Sequence, residues 1–407
     1  MDPTDPDTVR ARLTRVLACY RPDRTACEHG GFQAAVHPET GERYDDRHHL
    51  VASARFLANY SVGARLDGPG WCRSAAASAA DFLRSAHRDA SGGYDWLIGP
   101  DGDTIETRRV CYGHAFVLLA YARGVEIGLD LAEDLQAVAD LLIDQFFEPE
   151  YDLFASEFDA TFEEGSAYRG QNANMHACEA FLAAHRATQN RDHLDRSLAI
   201  ARALTVERAT DAEAAEVPLI WEHYDRNWTP DFEYNRDQPR DQFRPWGFQP
   251  GHHLEWAKLL AQIDRRLERV APDHEARDWL VDRAIEVFDA ALDLGWDDRL
   301  GGLAYTVAPD GDPVVEDTYG WAIAEGIGAA AALHERTGED RFLETYRGLW
   351  AFARTHLDTP QGDFYEAVSP TNETVIDDVG PAVEPGYHPI GACLEGLAAF
   401  DGDRRGE

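Results

Sequence analysis

Lysine is all but missing from this sequence. Of its 38 basic Lys and Arg residues only Lys258 is a lysine, against 74 Asp and Glu and a net charge of −36. The acidic excess runs along the whole chain with no acidic tail, which excludes a disordered acidic segment as its source. It argues against nucleic acid and anionic membranes as partners, since both would be repelled. A dense carboxylate surface without lysine reads as adaptation to high salt, where self-repulsion is screened, and so points to a halophilic source. A run of about 18 apolar residues is also missing, so no membrane span is expected. The N-terminal Met1-Asp2-Pro3-Thr4-Asp5-Pro6-Asp7 is acidic with no apolar stretch behind it, so no secretory signal is expected either. Both point to a cytoplasmic setting. The six cysteines, at 19, 27, 72, 111, 178 and 393, show no CxxC or metal-finger spacing and are expected to stay reduced. No linker rich in Ser, Gly or Pro divides the chain, and one domain over 1–407 is expected.

What the chain does have is a recurring unit. Gly30-Gly31-Phe32, Gly92-Gly93-Tyr94, Leu153-Phe154, Gly301-Gly302-Leu303 and Gly362-Asp363-Phe364 each open a short hairpin that leads into a long apolar helix. Those helices are expected through Arg55 to Tyr60, Tyr112 to Arg123, Asn174 to Ala187, Ala322 to His334 and Pro389 to Phe400. Amphipathic helices lie between them: Thr8 to Ala18, Ser74 to Ala86, Ala132 to Phe147, Arg191 to Thr205, Ala276 to Leu294 and Asp340 to Thr355. Gly31 to Gly93 spans 62 residues and Gly302 to Gly362 spans 60, a period that fits one outer helix, a hairpin and one inner helix. Such a repeat argues for stacked helix pairs, none able to bury its apolar face alone. Six or so pairs closing on themselves give an all-α (α/α)6 barrel with short β-hairpins at one end.

The entry points of the inner helices should then line one mouth of the barrel. They carry Arg55, Tyr112 and His114, Asn172 and His176, His252 and Glu255, Trp321 and Glu325, and His388. A plain core would place aliphatics there, so a pocket is expected. The fullest of these stretches is Arg244-Pro245-Trp246-Gly247-Phe248-Gln249-Pro250-Gly251-His252-His253-Leu254-Glu255-Trp256, a loop feeding a helix start. His252 and Glu255, three apart on that helix, can touch, and an imidazole oriented by a carboxylate is the equipment of a general acid or base. Capping and packing explain Tyr112 and Asn172 nearly as well as ligand contact, and His48, His49, His114 and His253 read as packing or surface residues. His252, Glu255, His176 and His388 could also be read as a metal set.

Three motifs carry a family resemblance: Tyr112-Gly113-His114-Ala115-Phe116, Asn172-Ala173-Asn174-Met175-His176, and Arg244 to Phe248 running into Pro250 to Trp256. With Gly386-Tyr387-His388 they make the chain, over about residues 8 to 400, resemble the N-acylglucosamine 2-epimerase superfamily. The likeness is to its D-mannose and sulfoquinovose isomerase branch. The resemblance implies an (α/α)6 barrel and proton transfer on a monosaccharide, without cofactor or metal. It implies an aldose–ketose isomerase acting on D-mannose through a cis-enediol, with a 2-epimerase or sulfoquinovose isomerase as alternatives. His252 and His388 would be the acid/base pair, Glu255 would polarise His252, and His176 would help open the pyranose ring. Arg55, Tyr112, Asn172, Trp321, Phe248 and Glu325 would contact the sugar. A sulfonate would need a further cation, for which Arg236, Arg240 and Arg244 are available. An (α/α)6 glycoside hydrolase would need two opposed carboxylates, and the entry points offer histidines. A non-catalytic sugar-binding protein would have no use for two titrating bases. The oligomeric state is open, a homo-oligomer included.

Overall fold

The structure is a computed structural model that describes residues 2–213, 215–375 and 382–402. Twelve long helices alternate between two concentric layers. The outer layer holds α1 (Pro6–Cys19), α3 (Cys72–Phe82), α5 (Ala132–Leu141), α7 (Arg191–Arg202), α9 (Arg277–Gly295) and α11 (Asp340–Phe352). The inner layer holds α2 (Leu50–Arg65), α4 (Cys111–Glu126), α6 (Gln171–Thr188), α8 (Pro250–Val270), α10 (Gly320–Thr337) and α12 (Tyr387–Phe400). Each inner helix packs on the next and α12 returns to α2, so the ring closes. The composition follows the layers: α2 is buried from Leu50 through Gly63, while α7 buries only one stripe. An inner helix must be apolar nearly all round, an outer one on one face only.

The helix ends fall within a few residues of the expected bounds, and the C-terminal ends of the outer layer have a local feature of their own. Four outer helices end in a five-residue π-helical turn, at Leu83–His87, Leu142–Phe146, Ala203–Glu207 and Ala353–Leu357. The wider turn carries the chain out of the helix and into the hairpin that follows. In the next step the hairpins fix the inner helices. His48–His49, just ahead of α2, pairs antiparallel with Leu97–Ile98 of the following unit. Arg109–Val110 ahead of α4 pairs with Glu157–Phe158, Arg169–Gly170 ahead of α6 with His223–Tyr224, and Thr318–Tyr319 ahead of α10 with Ala367–Val368. Phe248, ahead of α8, bridges to Val307. Every one of these helix starts is stapled to its neighbour.

A second device acts within each unit. His114 donates its Nδ1–H to the Val110 carbonyl and accepts the Tyr94 backbone N–H at 3.1 Å. His253 does the same with Gln249 and Ile220, Asn174 accepts from Phe154, and Thr318 Oγ1 accepts from Leu303. Burial pushes the His114 and His253 imidazoles down to about 4, so both are neutral struts. Gly251, on the first turn of α8, permits a close helix approach near the mouth: a Cβ there would meet Trp321 and Ala322 of α10 at 2.7 Å.

Candidate active site

The inner helix N-termini surround a cavity of about 210 Å³. That is below the 300–1,000 Å³ or so of sites for drug-sized ligands and suits a small one. Arg55, Tyr112, Asn172, His176, His252, Glu255, Trp321 and His388 line it, as the sequence places them. Two expected contacts do not. Phe248 is 1% exposed and packs on Trp221 and His253, because its backbone is the one tied to Val307. Its place at the cavity wall is taken by Phe243, five residues earlier in the loop, which also meets Tyr112 and stacks on His49. Glu325 lies beneath the cavity rather than in its wall, 1% exposed.

Glu325 explains His388. Its Oε1 accepts the His388 Nδ1–H at 2.7 Å. The other ring nitrogen, Nε2, then faces Arg55 Nη2 at 3.3 Å and the Glu384 carboxylate at 3.4 Å. His252 is built the same way with a different partner than its spacing suggests. Its Nδ1 lies 3.0 Å from the Glu222 carboxylate, not on Glu255. Glu222 in turn accepts the Gln171 amide at 2.9 Å, and Gln171 accepts the Trp256 indole N–H at 2.9 Å. Burial favours the neutral acid, yet His252 and Gln171 hold Glu222 below the usual carboxylate range. His176 completes the set, with Nδ1 on Glu179 at 3.2 Å and burial pushing its ring down to about 4. Three histidines thus spend Nδ1 on a carboxylate, a bond that fixes the ring and turns Nε2 the other way; that of His388 meets Arg55.

Glu255 is fully buried in the cavity wall. Neither carboxyl oxygen has a hydrogen-bond partner among the described residues; Lys258 Nζ is 3.8 Å away and His176 Nδ1 3.9 Å. Burial and the nearby Glu325 charge push its pKa well above the usual carboxylate range, Lys258 opposing, which favours the protonated acid. Asn172 Oδ1 and Gln249 Oε1, both in the cavity wall, are likewise buried and without a hydrogen bond. Polar groups left open at a cavity are where ligand hydroxyls bind. Arg55 is locked: Nη1 donates to Glu384 at 2.8 Å and to the Val383 carbonyl at 3.0 Å, Nη2 to the Tyr112 hydroxyl at 3.3 Å. Its guanidinium also lies over the Phe116 and Tyr387 rings. Trp321 lies beside both imidazoles, 5.1 Å from the His252 ring and 5.7 Å from His388.

Arg236, Arg240 and Arg244 are all engaged elsewhere, with Glu233, Asp317 and Glu157. His176, Glu179 and Glu255, and likewise Glu255, Glu325 and His388, bring ligand atoms within 4.8 Å of one another. Lys258 supplies the counter-charge for these carboxyls, which makes them an ion-pair network. Sequence reasoning passed over Glu222, Gln171, Gln249, Phe243, Glu384 and Lys258.

One group of the wall titrates in an informative range. Burial lifts the Asp363 carboxyl to about 7, against hydrogen bonds from Tyr20 and the Phe364 amide. The folded state therefore keeps a proton that the unfolded chain releases, and stability falls as pH rises from about 4 to about 7. Asp363→Asn removes this loss. It is expected to be more stable than the parent at pH 8 by on the order of 2–4 kcal/mol and close to it at pH 4, read as the difference in Tm at the two pH values.

Comparison with known proteins agrees with this architecture. A D-mannose isomerase of Marinomonas mediterranea is 38% identical over 393 residues, covering 96% of each chain. One of Thermobifida fusca is 38% identical over 284 residues, 68% of this chain and 67% of that one. A crystal structure of D-mannose isomerase superposes with a TM-score of 0.90 at 35% identity, covering 97% and 98%. The cellobiose 2-epimerase of Spirochaeta thermophila shares the fold, with a TM-score of 0.77 at 21% identity. The N-acylglucosamine 2-epimerase (GlcNAc 2-epimerase) family model matches residues 30–392. The chain belongs to the N-acylglucosamine 2-epimerase family.

Proposed function

We propose that the chain is an aldose–ketose isomerase that interconverts D-mannose and D-fructose. The observation that carries this reading is the pair His252 and His388, which face one small cavity, each with its Nδ1 anchored on a carboxylate. The D-mannose isomerases that match over most of the chain support the choice of sugar.

The chemistry asks for a base at a weakly acidic C–H and a positive group where charge develops. Arg55, 3.3 Å from His388 Nε2, holds the O1 end of the open-chain sugar against that imidazole. His388 Nε2 takes the C2 proton; the electron pair forms the C1–C2 double bond and O1 becomes the enediolate oxygen beside Arg55. His252 moves the hydroxyl proton from O2 to O1. The C2 carbonyl forms, and His388 returns its proton to C1 on the same face. His176, neutral and 3% exposed, serves ring opening and binds hydroxyls with Asn172 and Tyr112. Trp321 gives the apolar face on which the sugar stacks.

Incubation with D-mannose in heavy water at molar potassium chloride, followed by NMR, tests the reading. Fructose carrying deuterium at C1 is the expected product. Glucose labelled at C2 with little ketose would make the enzyme a 2-epimerase instead. No product or exchange with mannose, glucose, lyxose, N-acetylglucosamine or a sulfosugar would overturn the catalytic reading.

A further inference from the structure

Of the 38 Lys and Arg positions in this chain, every one but Lys258 is arginine. That one lysine is among the most deeply placed charges of the molecule, 4% exposed at the middle of α8 and one turn below Glu255. Its ammonium donates to Glu325 Oε2, a very short contact, and lies 3.8 Å from Glu255 Oε1. Its stem runs against Gly328 of α10, where a Cβ would come within 3.2 Å of Lys258 Cδ. The neighbouring helix leaves room for a narrow stem and a compact point charge, which is what distinguishes lysine from the planar fork of arginine.

The charged and titratable groups around it come from five inner helices besides its own. Glu179 of α6 and Glu325 of α10 act on it directly, as does Glu255 of its own helix. Arg65 of α2, Arg123 of α4, Arg186 of α6, Arg265 of α8, and Tyr387 and Glu395 of α12 line the same cavity as Lys258, while Arg55, Tyr112, His176, Glu384 and His388 face these carboxyls from the mouth side. Three buried carboxyls, Glu179, Glu255 and Glu325, thus gather near one ammonium. They cannot all ionise there at low cost. Glu179 has His176 and the Tyr387 hydroxyl, at 3.2 and 2.5 Å. Glu325 has Lys258 itself and His388. Glu255 has neither, and is the one left without a hydrogen bond. The ammonium therefore sorts the protons: it favours the ionised form of the carboxyl it touches most closely, and the proton resides on Glu255.

Resting on the isomerase reading above, we propose that Lys258 is a positioning residue that acts through Glu325. By keeping Glu325 ionised it keeps the His388 Nδ1–H donated, and so keeps Nε2 the nitrogen that meets the sugar. A buried ion pair is a weak stability device, since its desolvation cost can exceed the Coulomb gain. Here the pair has a second task, and that task makes a distinctive prediction. Glu325 and His388 are joined by one hydrogen bond into a unit, and an adjacent cation disfavours adding a proton to it. Without Lys258 the unit protonates at higher pH, whichever of the two atoms receives the proton.

The test uses K258M, K258R, E325Q and the double variant K258M/E325Q in the full chain. K258M is expected to lower kcat on D-mannose about 10- to 100-fold with KM changed less than about 3-fold, and to move the acid limb of the kcat profile up by ~1 pH unit or more. K258R should recover part of both effects. In the E325Q background K258M should add nothing, because its route to the site is gone. The pH response of the His388 ring, followed by NMR on histidine-labelled protein and assigned with H388N, should shift upward in K258M. That readout needs no turnover, so it decides the proposal even if no sugar is converted and the isomerase reading falls. An unmoved acid limb and unmoved His388 response in K258M, or losses that add to those of E325Q, would overturn it. If K258M does not fold, K258M/E325Q, which removes both charges, takes its place and must match E325Q.

Discussion

His388→Ala and His252→Ala are each expected to lower kcat on D-mannose by about 10²–10⁴-fold, the range lost when a positioned acid or base is removed. Sugar binding should be largely kept, since Arg55, Asn172, Trp321 and Glu255 remain in the wall. The two variants should differ in isotope exchange. His388→Ala removes the group assigned to C2 and C1, so exchange of the mannose C2 hydrogen with heavy water should vanish with turnover. His252→Ala removes the oxygen proton shuttle, so residual C2 exchange should exceed ketose formation. The measurement is kcat, KM and deuterium incorporation on the same samples. Near-parental kcat in either variant would show that the histidine concerned is not a base. Both side chains are nearly buried, at 6% and 5% exposure, but each is replaced by a smaller apolar group at a cavity edge, so the barrel should hold.

The barrel was legible because its signal is repetitive. Gly-Gly-aromatic turns at a 60- to 62-residue spacing mark the hairpins, and the two helix types differ in how much of their surface is apolar. The mouth was legible for a related reason: one side chain per unit, at the start of an inner helix, is a position that periodicity can locate. That rule finds Arg55, His176, His252, Trp321 and His388. It cannot find Glu222, which sits in the hairpin before His223–Tyr224 and reaches His252 from 30 residues away. Helical spacing allows Glu255 to touch His252, but helix geometry offers a neighbour and tertiary packing chooses one. The choice went to the residue whose strand is pinned against Arg169–Gly170. Phe243 and Phe248 were exchanged for a similar reason. Both lie in one aromatic loop, and only the backbone bridge of Phe248 to Val307 decides which of them is core. Lys258 was visible as a composition anomaly, but sequence gives no way to see that three carboxyls from three helices meet near it.

The identity of the His252 partner leads to the other large effect. Glu222→Gln keeps shape and the Gln171 contact while removing the negative charge 3.0 Å from Nδ1. A neutral amide still accepts one hydrogen bond, so the ring keeps its place, but the imidazolium that forms during proton transfer loses its counter-charge. About 10²-fold in kcat is expected to go, with KM little changed, in the lower range for acid–base groups. The pH response of the His252 ring should move down, since a cationic ring no longer has an anion beside it. Glu255→Gln serves as the control. Glu255 carries a proton and does not touch His252 through a hydrogen bond, so an amide there should leave the His252 response where it is. Had Glu255 been the orienting carboxylate, the two variants would behave the other way round. NMR of the histidine rings in both, across pH 5 to 8, separates the assignments without any knowledge of the substrate. A His252 response that moves with Glu255→Gln and not with Glu222→Gln would place the orienting charge back on the helix. His252 would then take its partner from its own helix, as His176 takes Glu179, and not from the neighbouring hairpin.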